Sequence, residues 1–126
     1  MLKIIAVDKK GDILTDVSFE RLKEQDIAWY WVDFDTPTRS EINLLTTFFK
    51  FHELLIEDCL TLLQRPKIEI SRQQIFLVSH VLKNIDDDYE TLNMFVGKNY
   101  IVTFHLSHIR YVNKIVPKIL QRGAEY

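Results

Sequence analysis

The chain has 126 residues, 47% of them hydrophobic and 12% aromatic, with three glycines and three prolines, a composition that fills one ordinary domain core and excludes disorder and low complexity. Sixteen basic residues against 18 acidic ones leave a formal charge of −2, so the basic field of a general nucleic-acid binder is missing. The single Cys59 builds no disulfide framework, no apolar run approaches the ~20 residues needed to cross a bilayer, and nothing reads as a secretion signal, which points to a reducing cytoplasm.

In chain order, "KIIAVDKKGDILTD" places two apolar runs around a turn cluster at Asp8 to Asp12 and predicts a hairpin of short strands. "SFERLKEQ" predicts a brief helix. "IAWYWVDF" (Ile27 to Phe34) is β-branched and aromatic without a break, which suits a central strand buried on both faces. Pro37, Thr38 as N-cap and Glu41 three residues later predict a helix opening with a capping box, whose apolar stripe is Ile42, Leu45, Phe48 and Phe49. After the next helix, "KIEIS", "QIFLVSHVLKNI", "ETLNMFVG" and "KNYIVTFHL" read as an antiparallel meander with turns at Asp86 to Asp88 and Gly97 to Asn99. "SHIRYVNKIVPKILQ" predicts a closing helix with Val112, Ile115, Ile119 and Leu120 on one face, kinked or divided at Pro117. The expected fold is α/β in the α+β sense: a single mixed, largely antiparallel sheet of about seven strands with helices packed on its faces.

The intervening helix, "HELLIEDCLTLLQRPK", sets the functional question. Stepping about 100° per residue from Leu54, the apolar side chains sweep about two-thirds of the circumference. Glu57 falls in the polar gap, whereas Asp58 stands among the apolar positions, about 40° from Leu54. So wide an apolar arc exceeds what one sheet face needs, and part of it is expected to meet a second surface. Two readings of the acids follow. Asp58 hydrogen-bonds a loop amide or pairs with Arg65 or Lys67, with Glu57 simply solvated; or both carboxylates stand at an interface rim where a hard divalent cation such as Mg²⁺ or Ca²⁺ relieves their repulsion. His52 lies about 140° from Glu57 on the wheel and cannot share an ion with it, so its ring is expected to cap the helix start or pack there.

Other candidates are weaker. His105 and His108 offer two imidazoles at a strand end with no third ligand nearby in sequence, which favours a structural or solvent role. Asp86, Asp87 and Asp88 lack the spacing and glycine of a calcium loop. Arg110, Lys114, Lys118 and Arg122 recur at steps of four, as a solvated helix face does. Cys59 sits on the apolar arc with no histidine spaced to activate it. There is no glycine-rich phosphate loop and no catalytic constellation, so no enzyme activity is expected.

The blocks "WVDFDTP", "FFKFHELLIEDCL", "QRPKIE", "IFLVSHVL" and "LNMFVGKNYIVTFH" together resemble, in order and spacing from Ile27 to His105, the cytoplasmic N-terminal domain of the CorA family of magnesium transporters. The resemblance implies an α/β/α domain of a homopentameric, channel-like transporter, followed in the full-length protein by a stalk helix and two transmembrane helices with a Gly-Met-Asn signature. None of those later segments is in this sequence, so residues 1–126 are expected to be a single N-terminal domain, excised or fragmentary. On its own it should be a monomer or weak oligomer; in the intact protein it would lie at the cytoplasmic face of the cell membrane.

The resemblance further implies that the "ED" pair, Glu57 and Asp58, holds regulatory Mg²⁺ between neighbouring protomers and favours the closed channel. Glu53 stands where many relatives carry proline, and "SRQQ" (Ser71 to Gln74) replaces a segment that is often more acidic and aromatic. Zinc-handling relatives share the scaffold, so the transported ion stays open. The alternative is a stand-alone α/β binding domain or small enzyme.

Overall fold

The computed structural model describes residues 1–61, 65–82 and 89–109. β1 (Leu2–Asp8) and β2 (Ile13–Thr15) form the expected hairpin. Its turn is tied by the Asp8 carboxylate, which accepts from the Lys10 and Asp12 amides, and passes through Gly11 at φ 90°, a left-handed position that suits glycine. α1 (Phe19–Leu22) starts at Ser18, whose hydroxyl accepts from the Arg21 amide, and leads into β3 (Ile27–Asp35).

The capping box is present: Thr38 Oγ1 accepts from the Glu41 amide, and Glu41 Oε1 accepts from the Thr38 amide at 2.9 Å. The helix it opens is divided into α2 (Arg39–Ile42) and α3 (Leu44–Thr47). At the division the Thr46 amide bonds three residues back to Asn43, a tightened turn between the four-residue bonds of Asn43 to Arg39 and Thr47 to Asn43. The stripe survives the break: Leu45 is fully buried, and Ile42, Phe48 and Phe49 pack beside it.

α4 (Glu53–Leu60) is shorter than the sequence pattern predicts, because Thr61 is already extended. His52 is its N-cap, accepting from the Leu54 amide through Nδ1 at 3.1 Å, as expected of a ring at the helix start. The meander follows as β4 (Lys67–Ile70), β5 (Ile75–Leu82), β6 (Tyr89–Val96) and β7 (Tyr100–His105).

The result is an α+β fold on one seven-stranded mixed sheet, ordered β2-β1-β3-β7-β6-β5-β4. Every neighbouring pair is antiparallel except β3 and β7, which run parallel and meet near the middle. β3 is thus the interior strand its composition predicts, enclosed from Tyr30 to Asp35.

Strand alternation sorts the sheet into two faces. Phe76, Phe95, Val102 and Val32 form one cross-strand row and, with Phe34 and Phe104, make the core on which α1 to α4 all pack. The four fully buried phenylalanines each contribute roughly 1.5–3 kcal/mol by burial, and Phe51 stacks on Phe95 with centroids 3.9 Å apart. The opposite face carries the row Ile70, Ile75, Val96, Ile101, Trp31 and Ile5. Among the described residues, Ile109 covers Ile5 and Trp31 at its β1–β3 end, with Val81 and Leu92 packed against them. The helix expected to follow Ser107 lies almost wholly beyond Ile109, outside the described residues, as do Asp86 to Asp88 and the Arg110–Lys114–Lys118–Arg122 stripe.

Candidate functional site

Glu57 and Asp58 are the fifth and sixth residues of α4, in its second turn. Glu57 is exposed, and the Asp58 side chain keeps 24% of its surface. Leu54, one helical turn before Asp58, is 62% exposed and Leu60 is 45% exposed, whereas Cys59 between them is buried. The apolar arc therefore does exceed what the sheet covers. Cys59 is a core residue as expected: burial, then the Asp58 charge, push its thiol pKa upward, so it stays protonated and unreactive.

Asp58 has a firm partner. Lys67 Nζ donates to Asp58 Oδ2 at 2.6 Å and to Glu69 Oε1 at 3.1 Å, and its hydrogen bond to Asp58 is the main reason the Lys67 pKa is raised. Strand alternation puts Lys67 on the helix-bearing face, its ammonium 6.0 Å from the Phe76 ring centre, and so within reach of α4. This is one of the two pairings the sequence suggests for Asp58; Arg65, the other candidate, is exposed. The carboxylates supply hard oxygen donors of the kind Mg²⁺ takes. Among the described residues, however, no group of three or more His, Cys, Asp or Glu side chains is placed to hold a metal ion. An ion at Glu57 and Asp58 would take further ligands from outside this described set, water included.

A second polar cluster, unread in the sequence, lies at the end of the parallel β3–β7 pair. Asp33 and Asp35 are 1% and 4% exposed, and His105 is wholly buried between them. His105 Nε2 stands 2.9 Å from Asp33 Oδ1 and its Nδ1 stands 2.8 Å from the Ser107 carbonyl. A carbonyl can only accept. Asp33 Oδ1 also receives the Thr103 hydroxyl at 2.5 Å, and Thr103 in turn accepts from Trp31 Nε1 at 2.9 Å. With Asp33 ionised, both imidazole nitrogens donate and the ring is an imidazolium.

Burial works against that charge, but the Asp33 hydrogen bond and charge, the Ser107 carbonyl and Asp35 overcome it and raise the His105 pKa. For Asp35, burial pushes upward, and the hydrogen bonds from His108 and Thr36 together with the His105 charge bring its pKa below the ordinary value. His108 Nδ1 lies 2.9 Å from Asp35 Oδ2 with the side chain 57% exposed.

The two histidines of the His105-x-x-His108 pair thus meet at Asp35, 2.9 Å from His108 Nδ1 and 3.6 Å from His105 Nδ1, while Asp33 serves His105, in keeping with the structural or solvent role expected of them. Thr36 follows Asp35 at φ 40°, a left-handed conformation costing about 1–2 kcal/mol for a residue with a Cβ. Its amide bond to the His105 carbonyl (3.0 Å) and hydroxyl bond to Asp35 (3.0 Å) hold it there. The hydrogen bonds of this cluster tie the ends of β3 and β7 and the loop after β7 together. The signal that could have revealed it was Asp33 and Asp35 two apart in a strand read as buried on both faces, since a buried acid requires a partner.

Comparison with known proteins agrees with the fold and the family. Residues 26–126 match the family model described as CorA-like Mg²⁺ transporter protein. The chain is 38% identical over 129 residues to the "Putative metal ion transporter YfjQ" of Bacillus subtilis, covering 98% of this chain and 40% of the relative. It is 26% identical over 108 residues to "Magnesium transporter ALR2" of Saccharomyces cerevisiae, covering 82% of this chain and 12% of that protein. In fold it resembles full-length CmaX (TM-score 0.76, 12% identity, 94% of this chain and 38% of that one). The soluble domain of CorA from Methanocaldococcus jannaschii is also similar (TM-score 0.69, 17% identity, 96% and 46%).

The chain belongs to the CorA-like Mg²⁺ transporter family. It spans well under half the length of the curated relatives it matches. Those relatives are transporters by name. Among the described residues no helix is long and apolar enough to cross a membrane.

Proposed function

We propose that residues 1–126 are a single regulatory domain, on the cytoplasmic side, of a CorA-like divalent-cation transporter, and that Glu57 and Asp58 sense Mg²⁺ at a site shared with a neighbouring protomer. The observation that carries this reading is the outward placement of two adjacent acids beside uncovered Leu54 and Leu60 on α4. Apolar side chains left bare around a pair of charges fit a surface that a second subunit covers. Bound Mg²⁺ would supply a divalent charge that offsets the carboxylate repulsion while keeping several of its waters. Glu57 and Asp58 would then hold protomers together at high internal Mg²⁺ and release them when the ion is scarce, a population shift driven by the difference in affinity between the two arrangements.

A second reading rests on the 2.6 Å Lys67–Asp58 bond: Asp58 is a structural tie from α4 to β4 and Glu57 a solvated acid. The two readings part at Lys67. If Asp58 is a ligand, the ammonium competes with the ion, and Lys67→Gln strengthens Mg²⁺ binding; if Asp58 is only a tie, the same change leaves Mg²⁺ binding untouched.

In the intact transporter, Glu57→Gln combined with Asp58→Asn should abolish the protection against protease that Mg²⁺ gives the closed state. Protection equal to the parent's excludes the pair as sensor. The isolated chain, lacking any stalk partner, should sediment as a monomer or weak oligomer and bind Mg²⁺ weakly; a tight pentamer formed without metal would place the ring-closing contacts within these residues instead.

A further inference from the structure

Where β3 and β7 begin, at the end of the sheet opposite the His105 cluster, a cleft of about 950 Å³ opens between the β1–β2 hairpin, the end of α1, α3 and the turn before β7. Three lysines border it: Lys9, Lys23 and Lys98, all exposed. In a chain of net charge −2 this is a local excess of positive charge. The acids nearest to it do not cancel it. Glu24 also lines the cleft, and Asp26 also feels Lys9; Arg21 Nη1 holds Glu24 at 2.8 Å and the guanidinium takes both oxygens of Asp26, at 2.6 and 2.7 Å, so Arg21 and the three lysines outnumber these two carboxylates. Cationic groups around a concave, low-dielectric wall concentrate small anions.

The floor is aromatic and carries one unspent donor. Tyr30 is 8% exposed, and its ring stacks on Tyr100 with centroids 5.8 Å apart. Its hydroxyl makes no hydrogen bond among the described residues, yet it is not sealed: the fully enclosed side-chain polar atom left without a partner there is Asn93 Oδ1 alone. A phenol buried to this degree ordinarily finds a partner, and this one opens on the cleft it lines. Burial, then the neighbouring Tyr100, push its pKa up to about 12, so it remains a donor through the physiological range. The arrangement is built by the sequence. Gly97 leaves room for the Tyr100 ring, which a Cβ there would strike, and Lys23 Nζ is steered over the Phe48 ring at 5.0 Å.

We propose that this cleft binds a small polyanion bearing phosphoryl groups, neutralised by the ammonium groups of Lys9, Lys23 and Lys98 and receiving a hydrogen bond from the Tyr30 hydroxyl. Free pyrophosphate and the diphosphate of a nucleotide share this chemistry, and the aromatic wall gives only the second something flat to stack on. The site is separate from α4 and owes nothing to the metal reading.

The test is a titration of the 126-residue chain with pyrophosphate and with ADP, without metal, followed by calorimetry and by the amide resonances of Lys98 and Asn99. Both ligands should bind and weaken with added salt. Lys9→Gln combined with Lys98→Gln should weaken binding roughly tenfold or more, since each lysine supplies a charge-assisted contact, and Tyr30→Phe, which keeps the ring stacking, should weaken it several-fold. ADP tighter than pyrophosphate assigns the nucleotide; equal affinity assigns the inorganic anion. The proposal is overturned if neither ligand binds at millimolar concentration, or if binding ignores the lysine changes while the variants melt like the parent. It is equally overturned if the chain ignores both and associates only with anionic phospholipid vesicles.

Discussion

The molecule contains the same kind of ion pair twice, in opposite surroundings. Asp33 and His105 meet with 1% and 0% of their side chains exposed, while Asp58 and Lys67 meet with 24% and 33% exposed. The buried pair is surrounded by groups that complete its hydrogen bonding: Thr103, Trp31, the Ser107 carbonyl and Asp35. The outer pair faces water and a bare apolar strip. Burial therefore separates a closed pair from an open one here. A carboxylate whose every donor comes from its own chain is fixed, and one that keeps a wet side can exchange its cation for another.

The largest expected effect is at the buried pair. Asp33→Ala leaves an imidazolium without its counter-charge and should cost about 3–5 kcal/mol in denaturant unfolding; a loss under about 1 kcal/mol, the scale of an exposed pair, would erase the contrast.

Next comes pH. The folded pKa of His105 is raised, so its contribution is complete below the unfolded histidine value and is lost as pH rises through the folded one. Asp35 acts in the opposite sense, its contribution being present above the unfolded carboxylate value and lost as pH falls through the lowered folded pKa. The groups that face the ring are Asp33 and Asp35 from β3, His108 and the Ser107 carbonyl from the following loop, Lys3 opposite Asp33 on β1, and the Met1 ammonium, which donates to the Asp35 carbonyl at 2.7 Å. Unfolding free energy measured upward from pH 6 should fall, and His105→Gln should flatten that decline.

Thr103→Val breaks the relay from Trp31 to Asp33 and should cost about 1–3 kcal/mol, with a change in Trp31 fluorescence reporting the lost indole bond. Smallest for stability is the outer pair: Asp58→Asn and Lys67→Gln should each shift unfolding by about 1 kcal/mol or less. Their signature is instead opposite changes in Mg²⁺ affinity, down for the first and up for the second, read by calorimetry on the full-length protein. Equal responses would make the outer pair as purely structural as the inner one.

Local features were legible because their causes are local. The Thr38–Glu41 capping box, the His52 cap and the Asp8–Asp12 turn each involve residues within four positions of one another, and the meander follows from period-two alternation between turn residues. The position of Cys59 in the core and the surplus apolar arc of α4 also follow from helical phase. Less legible were the division between α2 and α3, where the hydrogen-bond ladder slips at Asn43, and the early end of α4 at Leu60, where the apolar pattern continues but the backbone does not.

What the sequence by itself determined was the inventory of elements, the side of each that is apolar, and the presence of two acids on a helix too apolar to need them. Which acid would be locked and which left open was decided only in three dimensions. Asp33 and His105 are 72 residues apart and meet because β3 and β7 pair in parallel in a single register, and a one-residue slip would turn His105 to the opposite face. Asp58 and Lys67 are nine apart, but the register of β4 on β5 is what turns the ammonium toward α4. Charge and hydropathy are properties of single residues, whereas burial belongs to the packed pair, and burial sets what each carboxylate can do.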